Sequence, residues 1–501
     1  MEDQEEPVPP QAIVPAPVTV TPGGDGYALS RHTTIQVDPG ATAVGRYLAS
    51  LLRPATGLPL PVHIAADHEA HPDQGISLRL AASPGLGREG YELAVTGTGV
   101  TIQAEHPAGL FYGVQTLRQL LPPAVESRAP RPGPWPVPAV RITDRPRFAY
   151  RGAMLDVARH FFPVHVVRRF IDQLAYYKLN HLHLHLTDDQ GWRLEIEDWP
   201  DLTRISGRTA VGGDPGGAYS QEAYAAIVAY ARERHITVVP EIDMPGHTNA
   251  ALVAYRALAP DRVAPEPYTG MKVGFSSLVI DRELTYAFVA GVLREVAALT
   301  PGPYLHIGGD EAFATPPDDY ARFLRRVQPM VAALGKTVMG WQEIATVPYA
   351  GDRVVQYWRP EPPGPYLRRA VAQGARVVLS PANRSYLDMV YGPGTAYQGT
   401  PLGLDWAGPV EVRDAYHWDP GSYLEGVPEE SVLGVEAPLW SETVSTPEHL
   451  DYLIFPRLPA IAEVGWSRSR DWAGFRRRLA AHAPGWRAAG IVFHPSPQIP
   501  W

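Results

Sequence analysis

Cysteine is absent from the 501 residues of this chain. Its absence excludes disulfide bonds, metal sites built from thiolates and a cysteine nucleophile. Long apolar runs are missing too, because no stretch approaches the roughly 18 residues that a membrane-spanning helix requires. The N-terminus lacks the basic start and apolar core of a signal peptide. We therefore expect a soluble chain with no membrane partner, and secretion is compatible with it if a signal has been removed.

Positive charge is also scarce. The chain has 44 lysines and arginines against 53 aspartates and glutamates, which gives a net charge of -9. Nucleic acids and anionic membranes bind clustered basic residues, and the sequence has no such cluster. We therefore expect neither partner, and a small ligand that is not strongly anionic. Amphipathic surface helices look alike in monomers and oligomers, so the sequence does not indicate an oligomeric state.

Proline and glycine, by contrast, are abundant, with 53 and 46 residues, and they punctuate the chain. Residues 1–14 are acidic and proline-rich, which is typical of a flexible tail. The prolines of residues 122–145 suit a semi-rigid linker. We therefore predict a smaller domain over residues 15–121 and a larger one over residues 146–501.

The smaller domain is predicted to be an α/β domain. Its alternating segments, which indicate strands, include "TTIQV", "ISLRLA", "YELAVTG" and "GVTIQAE". Helical spacing of apolar residues occurs in "AVGRYLASLL" and "AGLFYGVQTLRQLL". No cluster of residues in this domain indicates catalysis, so we predict a structural or positioning role for it.

The larger domain repeats a β-then-α pattern. Amphipathic helices are predicted for "VHVVRRFIDQLAYYKL", "SQEAYAAIVAYARERH", "RELTYAFVAGVLREVAAL" and "DDYARFLRRVQPMVAAL". Strands are predicted for "RGAMLDVA", "HLHLHLTDD", "ITVVPEID", "YLHIGGDE", "TVMGWQE", "RVVQYW", "RVVLSP" and "VLGVEAPLWSE". A doubly wound open sheet would give a similar alternation. Eight such units favour a (β/α)8 TIM barrel, preceded by the smaller α/β domain.

Polar and aromatic residues follow the carboxyl ends of these strands. They include Asp188, Asp189, Asp243, His247, Asp310, Glu311, Trp341, Trp358, Tyr386, Trp440 and Glu442. In a closed barrel these ends meet at one mouth, where barrel enzymes build their active sites. Indole rings pack on the C–H faces of sugars, and acids bind sugar hydroxyls. The inventory therefore suits a carbohydrate, and paired acids suit cleavage of a glycosidic bond.

Two of these acids, Asp310 and Glu311, are adjacent in "LHIGGDEAF". Adjacent side chains of an extended strand point to opposite faces. A retaining enzyme with two catalytic carboxylates needs them about 5 Å apart across the scissile bond. We therefore expect the two acids to serve different parts of one sugar.

Motifs along the larger domain resemble those of the family 20 glycoside hydrolases, especially the bacterial β-N-acetylhexosaminidases. In family order they are "MLDVARHFF", "LHLHLTDDQGWR", "PEIDMPGHTNA", "LHIGGDEA", "VQYW", "SYLDM", "EAPLWSE" and "FPRLPAIAEVGW". The resemblance covers essentially the whole chain. The smaller domain also resembles the non-catalytic domain that precedes the barrel in this family.

The resemblance implies a retaining exo-β-N-acetylhexosaminidase. It would remove terminal β-linked N-acetylglucosamine from oligosaccharides such as chitin fragments, with N-acetylgalactosamine as a second candidate sugar. In this family the substrate's own 2-acetamido oxygen is the nucleophile and forms an oxazolinium intermediate. Glu311 matches the general acid and base. Asp310 matches the residue that orients the acetamido N–H, and Tyr386 matches the hydroxyl that holds the acetamido oxygen.

In the family, residues that match Arg159, Asp388 and Glu442 bind ring hydroxyls, and those that match Trp341, Trp358 and Trp440 enclose the acetyl methyl. Trp406 matches an aromatic residue beyond the first sugar. Asp188 and His247 match a pair that supports Glu311. The resemblance implies no cofactor. His181, His183 and His185 share one face of a strand, where a metal is conceivable, but we expect packing histidines there.

The residues alone leave two other functions open. A carbohydrate-binding barrel without catalysis would not require a general acid, which Glu311 provides. A barrel glycosidase with two enzyme carboxylates would need a nucleophile such as Asp243 or Glu442.

Overall fold

The computed structural model describes residues 12–65 and 74–501. Two compact units make up the chain. The first, here the sheet unit, comprises Met1–Arg147, Ala175–Lys178 and Phe455–Trp501. The second, the barrel unit, comprises Phe148–Leu174 and Leu179–Ile454.

The predicted flexible tail falls mostly on residues 1–11, which lie outside the described residues. Its last three residues, Ala12, Ile13 and Val14, are buried. Val14 and the side-chain amide of Gln119 form a pair of hydrogen bonds of 2.9 Å. The apolar side chains and this amide pair hold the three residues against the sheet unit.

A seven-stranded sheet forms the centre of the sheet unit. In spatial order its strands are Thr19–Pro22, Val140–Asp144, Tyr91–Val95, Gly99–Ala104, Gly75–Leu80, Ile35–Val37 and Val62–Ile64. The first four strands pair antiparallel and the remaining pairs are parallel. A separate ribbon pairs Tyr27–Leu29 with Trp135–Val137. The segment predicted as a linker therefore contains two paired strands, Trp135–Val137 and Val140–Asp144.

The helices of the sheet unit are Thr42–Thr56, Pro107–Leu120, Arg457–Trp466, Trp472–Ala480 and Ala483–Ala488. The four strands predicted for the smaller domain and its two predicted helices are all present. Period-two burial is clearest in Tyr91–Val95, where Tyr91, Leu93 and Val95 are buried and Glu92 is exposed.

An ion pair lies in the core of the sheet unit. The Lys178 ammonium is 2.9 Å from an Asp144 carboxylate oxygen, and neither side chain is exposed. Asp144 also accepts hydrogen bonds from Tyr91 and from the Trp466 indole. These donors compensate the cost of burying the carboxylate.

Eight parallel strands form the closed barrel, as predicted. In chain order β1 to β8 are Tyr150–Asp156, His181–His185, Thr237–Glu241, Tyr304–His306, Thr337–Trp341, Arg353–Tyr357, Arg376–Leu379 and Val432–Leu439. Each strand pairs with its neighbours in chain order, and β8 closes on β1. The TIM-barrel prediction is therefore confirmed.

Helices alternate with the barrel strands. They are Val164–Tyr176, Asp201–Ser206, Gln221–Arg232, Asn249–Ala254, Glu283–Leu299, Pro317–Ala333, Pro365–Ala372, Ala382–Ser385, Val412–Tyr416 and Pro447–Ile454. The four predicted amphipathic helices are among them. No helix in the described ranges combines the length and apolar character needed to cross a bilayer.

The barrel interior mixes apolar and charged side chains. An apolar cluster of Tyr150, Val239, Met339, Val354 and Val378 fills part of it. Nearby, His183, Glu241 and Glu436 are fully buried. Buried charges are retained only when paired, so these residues form an ionic layer within the barrel.

We predict that Lys178→Met lowers the free energy of unfolding by about 3–5 kcal/mol, because it leaves the Asp144 carboxylate buried without its cation. Urea denaturation followed by circular dichroism measures this change. Arg294→Met is the matched control, because it breaks an ion pair with Asp198 in which both side chains are more than half exposed. The control should change stability by at most about 1 kcal/mol, and equal losses in both variants would contradict the prediction.

Candidate active site

The residues predicted for the site form one connected group at the carboxyl ends of the barrel strands. Arg159 follows β1, and its guanidinium lies 4.8 Å from the ring centre of Trp440 at the end of β8. The Arg159 Nη2 atom is 2.9 Å from Asp188, which follows β2. Asp188 is in turn 3.1 Å from the Nδ1 atom of His247, which follows β3.

Asp310 and Glu311 converge on the same imidazole nitrogen. His247 Nε2 lies 3.7 Å from Asp310 Oδ2 and 3.6 Å from Glu311 Oε2. Strand β4 ends at His306, and Glu311 has a left-handed backbone with φ of 43°. The prediction that the two acids diverge as neighbours on an extended strand is therefore wrong. A turn after the strand brings both carboxylates to His247.

Gly308 makes this turn possible. Its φ of 63° lies in the left-handed region, and a Cβ added to it would lie 1.8 Å from Asp243 Oδ1. That same oxygen accepts a hydrogen bond of 3.0 Å from the amide of Gly309. The absence of a side chain at position 308 therefore lets the turn approach Asp243 and places Asp310 beside it.

The acids around His247 are strongly perturbed. Burial and the neighbouring Asp243 raise the pKa of Asp310 well above its usual range, although His247 opposes the change. Burial likewise raises the pKa of Asp243, with contributions from Glu241 and Asp188. Asp243 and Asp310 therefore bind a proton more readily than isolated carboxyls. Perturbed acids of this kind are typical of catalytic sites.

In His247 and Asp188, by contrast, neighbouring charges outweigh the effect of burial on the pKa. Burial disfavours the imidazolium, but Asp188, Asp310 and Asp243 outweigh burial and raise the pKa of His247 well above its usual range. Burial would raise the pKa of Asp188, yet Arg159 and His247 hold it well below its usual range. An imidazolium and a carboxylate thus stand beside Glu311.

Several buried polar atoms at the site have no hydrogen-bond partner among the described residues. They include Arg159 Nε, Asp310 Oδ1 and Glu442 Oε2. Burial also raises the pKa of Glu442, although Arg159 opposes this. Buried polar atoms are normally paired, so these atoms are positioned for the polar groups of a ligand.

Aromatic side chains surround the acids. The ring centres of Trp341 and Trp440 are 5.6 Å apart, and that of Tyr386 is 6.3 Å from Trp440. Trp406 lies 5.8 Å from both Tyr386 and Trp358. Trp341 and Tyr386 are at most 2% exposed, whereas Trp406 is 50% exposed. The enclosed wall thus opens outward at Trp406.

Asp388 is buried at the same end of the barrel. Its Oδ1 atom accepts a hydrogen bond of 3.4 Å from the backbone amide of Trp440. Burial and the nearby Asp388 raise the pKa of the Tyr386 hydroxyl well above its usual range, so Tyr386 remains protonated and can donate a hydrogen bond.

Two supporting acids were not predicted from the sequence. Glu343 accepts a hydrogen bond of 3.1 Å from the Trp358 indole. Asp156 lies 3.3 Å from Arg159 Nη1 and accepts a bond of 3.0 Å from the Ser441 amide. Their places in the sequence could have indicated this role, because Glu343 follows Trp341 by two residues and Asp156 is the last residue of β1. Both hold residues that line the site.

The strand histidines have protein partners. His181 stacks on Tyr150 at 3.9 Å between ring centres, and His185 contacts Glu241 and Asp188. Among the described residues, four groups have possible ligand atoms within 4.8 Å of one another, and one of them comprises His183, Glu241 and His306. Glu241 already accepts hydrogen bonds from His185 and Trp341, so ion pairing accounts for this group.

Comparison with known proteins places the whole chain in one family. The model of the glycosyl hydrolase family 20 catalytic domain matches residues 148–319 and 314–469, and that of family 20 domain 2 matches residues 10–145. The chain is 45% identical to a β-N-acetylhexosaminidase of Cellulomonas fimi, over 99% of this chain and 98% of that one. These matches confirm the resemblance seen in the motifs.

Solved structures give the same answer. The GH20 β-N-acetylhexosaminidase of Streptomyces coelicolor A3(2) superposes with a TM-score of 0.94 at 54% identity, over 99% of this chain and all of that one. A variant of Streptomyces plicatus β-hexosaminidase, solved with its product GlcNAc, also has a TM-score of 0.94, at 55% identity over 99% of both chains.

We predict that Gly308→Ala is far more destabilising than Gly335→Ala. Gly335 has a φ of 72° but nothing within 4 Å of an added Cβ, so its substitution adds only backbone strain of about 1–2 kcal/mol. Gly308→Ala adds to this strain a clash with Asp243, worth about 1–3 kcal/mol more. Urea denaturation of both variants measures the difference. Equal losses of stability would show that the turn has room for a side chain.

Proposed function

This chain belongs to glycosyl hydrolase family 20, and on that basis we propose that it is a retaining exo-β-N-acetylhexosaminidase acting by substrate assistance. Its substrates are oligosaccharides, such as chitin fragments, that end in β-linked N-acetylglucosamine. The observation that carries the proposal is the convergence of Asp310 and Glu311 on His247 beside an aromatic enclosure. The GlcNAc complex of the Streptomyces plicatus relative supports the choice of sugar.

Membership of family 20 favours a nucleophile supplied by the substrate, because this family is an exception to double displacement by two enzyme carboxylates. Asp310 and Glu311 both face one nitrogen atom of His247. In the proposed mechanism the acetamido oxygen attacks the anomeric carbon from within the sugar and forms an oxazolinium ion.

Glu311 acts as general acid and then as general base. It donates its proton to the glycosidic oxygen as the bond to the anomeric carbon breaks. The resulting carboxylate takes a proton from the water that attacks the oxazolinium ion, which regenerates the acid and releases the sugar with retained configuration. The His247 imidazolium, 3.6 Å from Glu311, stabilises the carboxylate formed between these steps.

Asp310 serves the acetamido group. Its buried Oδ1 atom, which has no hydrogen-bond partner among the described residues, accepts the acetamido N–H and stabilises the charge that develops on the oxazolinium ion. Asp310 accepts this N–H as a carboxylate, a form that the His247 imidazolium favours. Tyr386 donates to the acetamido oxygen and aligns it for attack.

The remaining residues hold the sugar. Arg159, Asp388 and Glu442 bind ring hydroxyls, for which Arg159 Nε and Glu442 Oε2 are available. The methyl of the acetamido group packs among the wall residues, which are Trp341, Trp358 and Trp440. Half-exposed Trp406 offers its face to the sugar beyond the cleaved bond.

We predict different leaving-group dependence for two variants. Glu311→Gln should lose about 100- to 10,000-fold in kcat on chitobiose, whose leaving group needs protonation, but much less on a 2,4-dinitrophenyl glycoside. Asp310→Ala should lose at least about 100-fold on both substrates, because the acetamide is no longer aligned. Initial rates on the two substrates measure these changes.

Asp318→Asn provides the control, because Asp318 is exposed in the first turn of the helix that follows the site. It should retain wild-type rates on both substrates. Wild-type rates in Glu311→Gln and Asp310→Ala would exclude the assignment. A wild-type protein that binds N-acetylglucosamine without cleaving either substrate would instead be a binding protein.

We also predict that fluorination of the N-acetyl group slows cleavage progressively, because fluorine makes the acetamido oxygen a poorer nucleophile. Rates on 4-nitrophenyl glycosides with mono-, di- and trifluoroacetamido groups should fall at each step. The corresponding glucoside, which lacks the acetamide, should be cleaved extremely slowly, and a thiazoline mimic of the intermediate should inhibit tightly. Equal rates across the series would indicate an enzyme nucleophile such as Asp243 or Glu442.

A further inference from the structure

Glu241 lies beneath the active site and is fully buried at the end of β3. Its Oε1 atom accepts a hydrogen bond of 2.8 Å from the Trp341 indole and lies 3.1 Å from His306 Nδ1. Its Oε2 atom lies 2.5 Å from His185 Nδ1 and 3.0 Å from His183 Nε2. One carboxylate on β3 therefore contacts side chains of three other strands, β2, β4 and β5.

The first oxygen of Glu241, Oε1, accepts a hydrogen bond from Trp341, which belongs to the wall of the proposed acetamido pocket. Trp341 is almost completely buried, and its ring centre is 5.6 Å from that of Trp440. An indole can tilt about its side-chain torsions unless its N–H is held. The hydrogen bond to Glu241 thus sets the orientation of a ring that walls the acetamido pocket.

The second oxygen of Glu241, Oε2, is connected through His185 to the residues beside the general acid Glu311. The Nε2 atom of His185 is 2.7 Å from Asp188 Oδ2. Asp188 contacts Arg159 at 2.9 Å and His247 at 3.1 Å, and His247 faces Glu311. A chain of alternating imidazoles and carboxylates therefore runs from Glu241 to the general acid.

His185 can serve both neighbours only as a cation, because a neutral imidazole has a single N–H. Burial disfavours that charge, but Glu241 and Asp188 outweigh burial and raise the pKa of His185 to about 10. At neutral pH both nitrogens of His185 therefore donate, one to each carboxylate. The chain is therefore continuous in hydrogen bonds from Glu241 to His247, whose Nε2 atom lies 3.6 Å from Glu311.

We infer that Glu241 is a positioning residue that fixes the acetamide wall and the support of the general acid relative to each other. This inference rests on the proposed function. Glu241 itself does not touch the substrate. It acts through Trp341 on one side and through His185 and Asp188 on the other.

Glu436 is a natural control for Glu241. It too is a fully buried glutamate on a barrel strand, β8, and it contacts the same imidazole, His183, at 2.9 Å. Its other partners are Gln356 and Tyr150, so it bonds to neither Trp341 nor His185. Substitution of either glutamate would disturb the ionic layer. Only substitution of Glu241 would also remove the contacts that position Trp341 and His185.

The test compares Glu241→Ala, Glu241→Gln, Glu436→Ala and Glu436→Gln on 4-nitrophenyl N-acetyl-β-glucosaminide. Glu241→Ala should lower kcat/KM at least about 100-fold, mainly through kcat, as misplacement of reacting groups does. Glu241→Gln should recover to within about tenfold of wild type, since its amide can accept from Trp341 and donate to a neutral His185. Both Glu436 variants should remain within about fivefold.

A double-mutant cycle isolates the acetamide side. Trp341→Phe removes the indole N–H, and the accompanying change of ring cancels in the cycle. In the wild-type background it should lower the affinity for the thiazoline mimic about tenfold. In the Glu241→Ala background its effect should be smaller, because the bond is already lost and only the change of ring remains. Independent, multiplying losses would overturn the inference.

The indole N–H resonance of Trp341 provides a readout that does not require activity. It is assigned from its loss in Trp341→Phe, and it should shift in both Glu241 variants but not in the Glu436 variants. Should Glu241→Ala fail to fold by circular dichroism, Glu241→Gln takes its place in the cycle. Equal kinetic losses at Glu241 and Glu436, or unchanged kinetics at Glu241, would refute positioning. An inactive wild type would instead refute the proposed function.

Discussion

The burial of Asp188 among cations is the interaction on which the rest of the site depends. Its carboxylate meets Arg159, His185 and His247, which come from three successive segments of the barrel. A carboxylate removed from water is stable only with such partners, and it in turn favours the charged forms of His185 and His247. This mutual support favours the imidazolium form of His247 beside Glu311.

Much of the fold could be predicted from the sequence because the patterns that indicate it are local. Apolar runs followed by acids or tryptophans occur at the ends of most of the barrel strands, and a barrel is the arrangement in which those ends meet. The runs and their endings are local features of the chain. The grouping of Arg159, Asp188, His247 and Glu311 followed from topology and from the motifs of the family.

Other features could not be predicted because they depend on backbone conformation or on distant partners. The convergence of Asp310 and Glu311 arises from left-handed conformations at Gly308 and Glu311, which a strand pattern does not reveal. The strands at Trp135–Val137 and Val140–Asp144 lie in a proline-rich segment, and pairing with other strands keeps them extended. The role of Glu343 depends on a hydrogen bond from the Trp358 indole, which the sequence does not reveal.

The chain of imidazoles and carboxylates also has a consequence for inheritance. Its members come from segments far apart in the sequence, so that His185 and Asp188 lie in "HLHLHLTDD", Glu241 and His247 in "PEIDMPGHTNA" and Glu311 in "LHIGGDEAF". Loss of one charge strands its neighbour in a place that water does not reach. Substitution of one member is therefore expected to require compensation by another, so we expect the three segments to change together. Diversity among relatives is then expected in the loops around the barrel mouth, where each change can be tried alone.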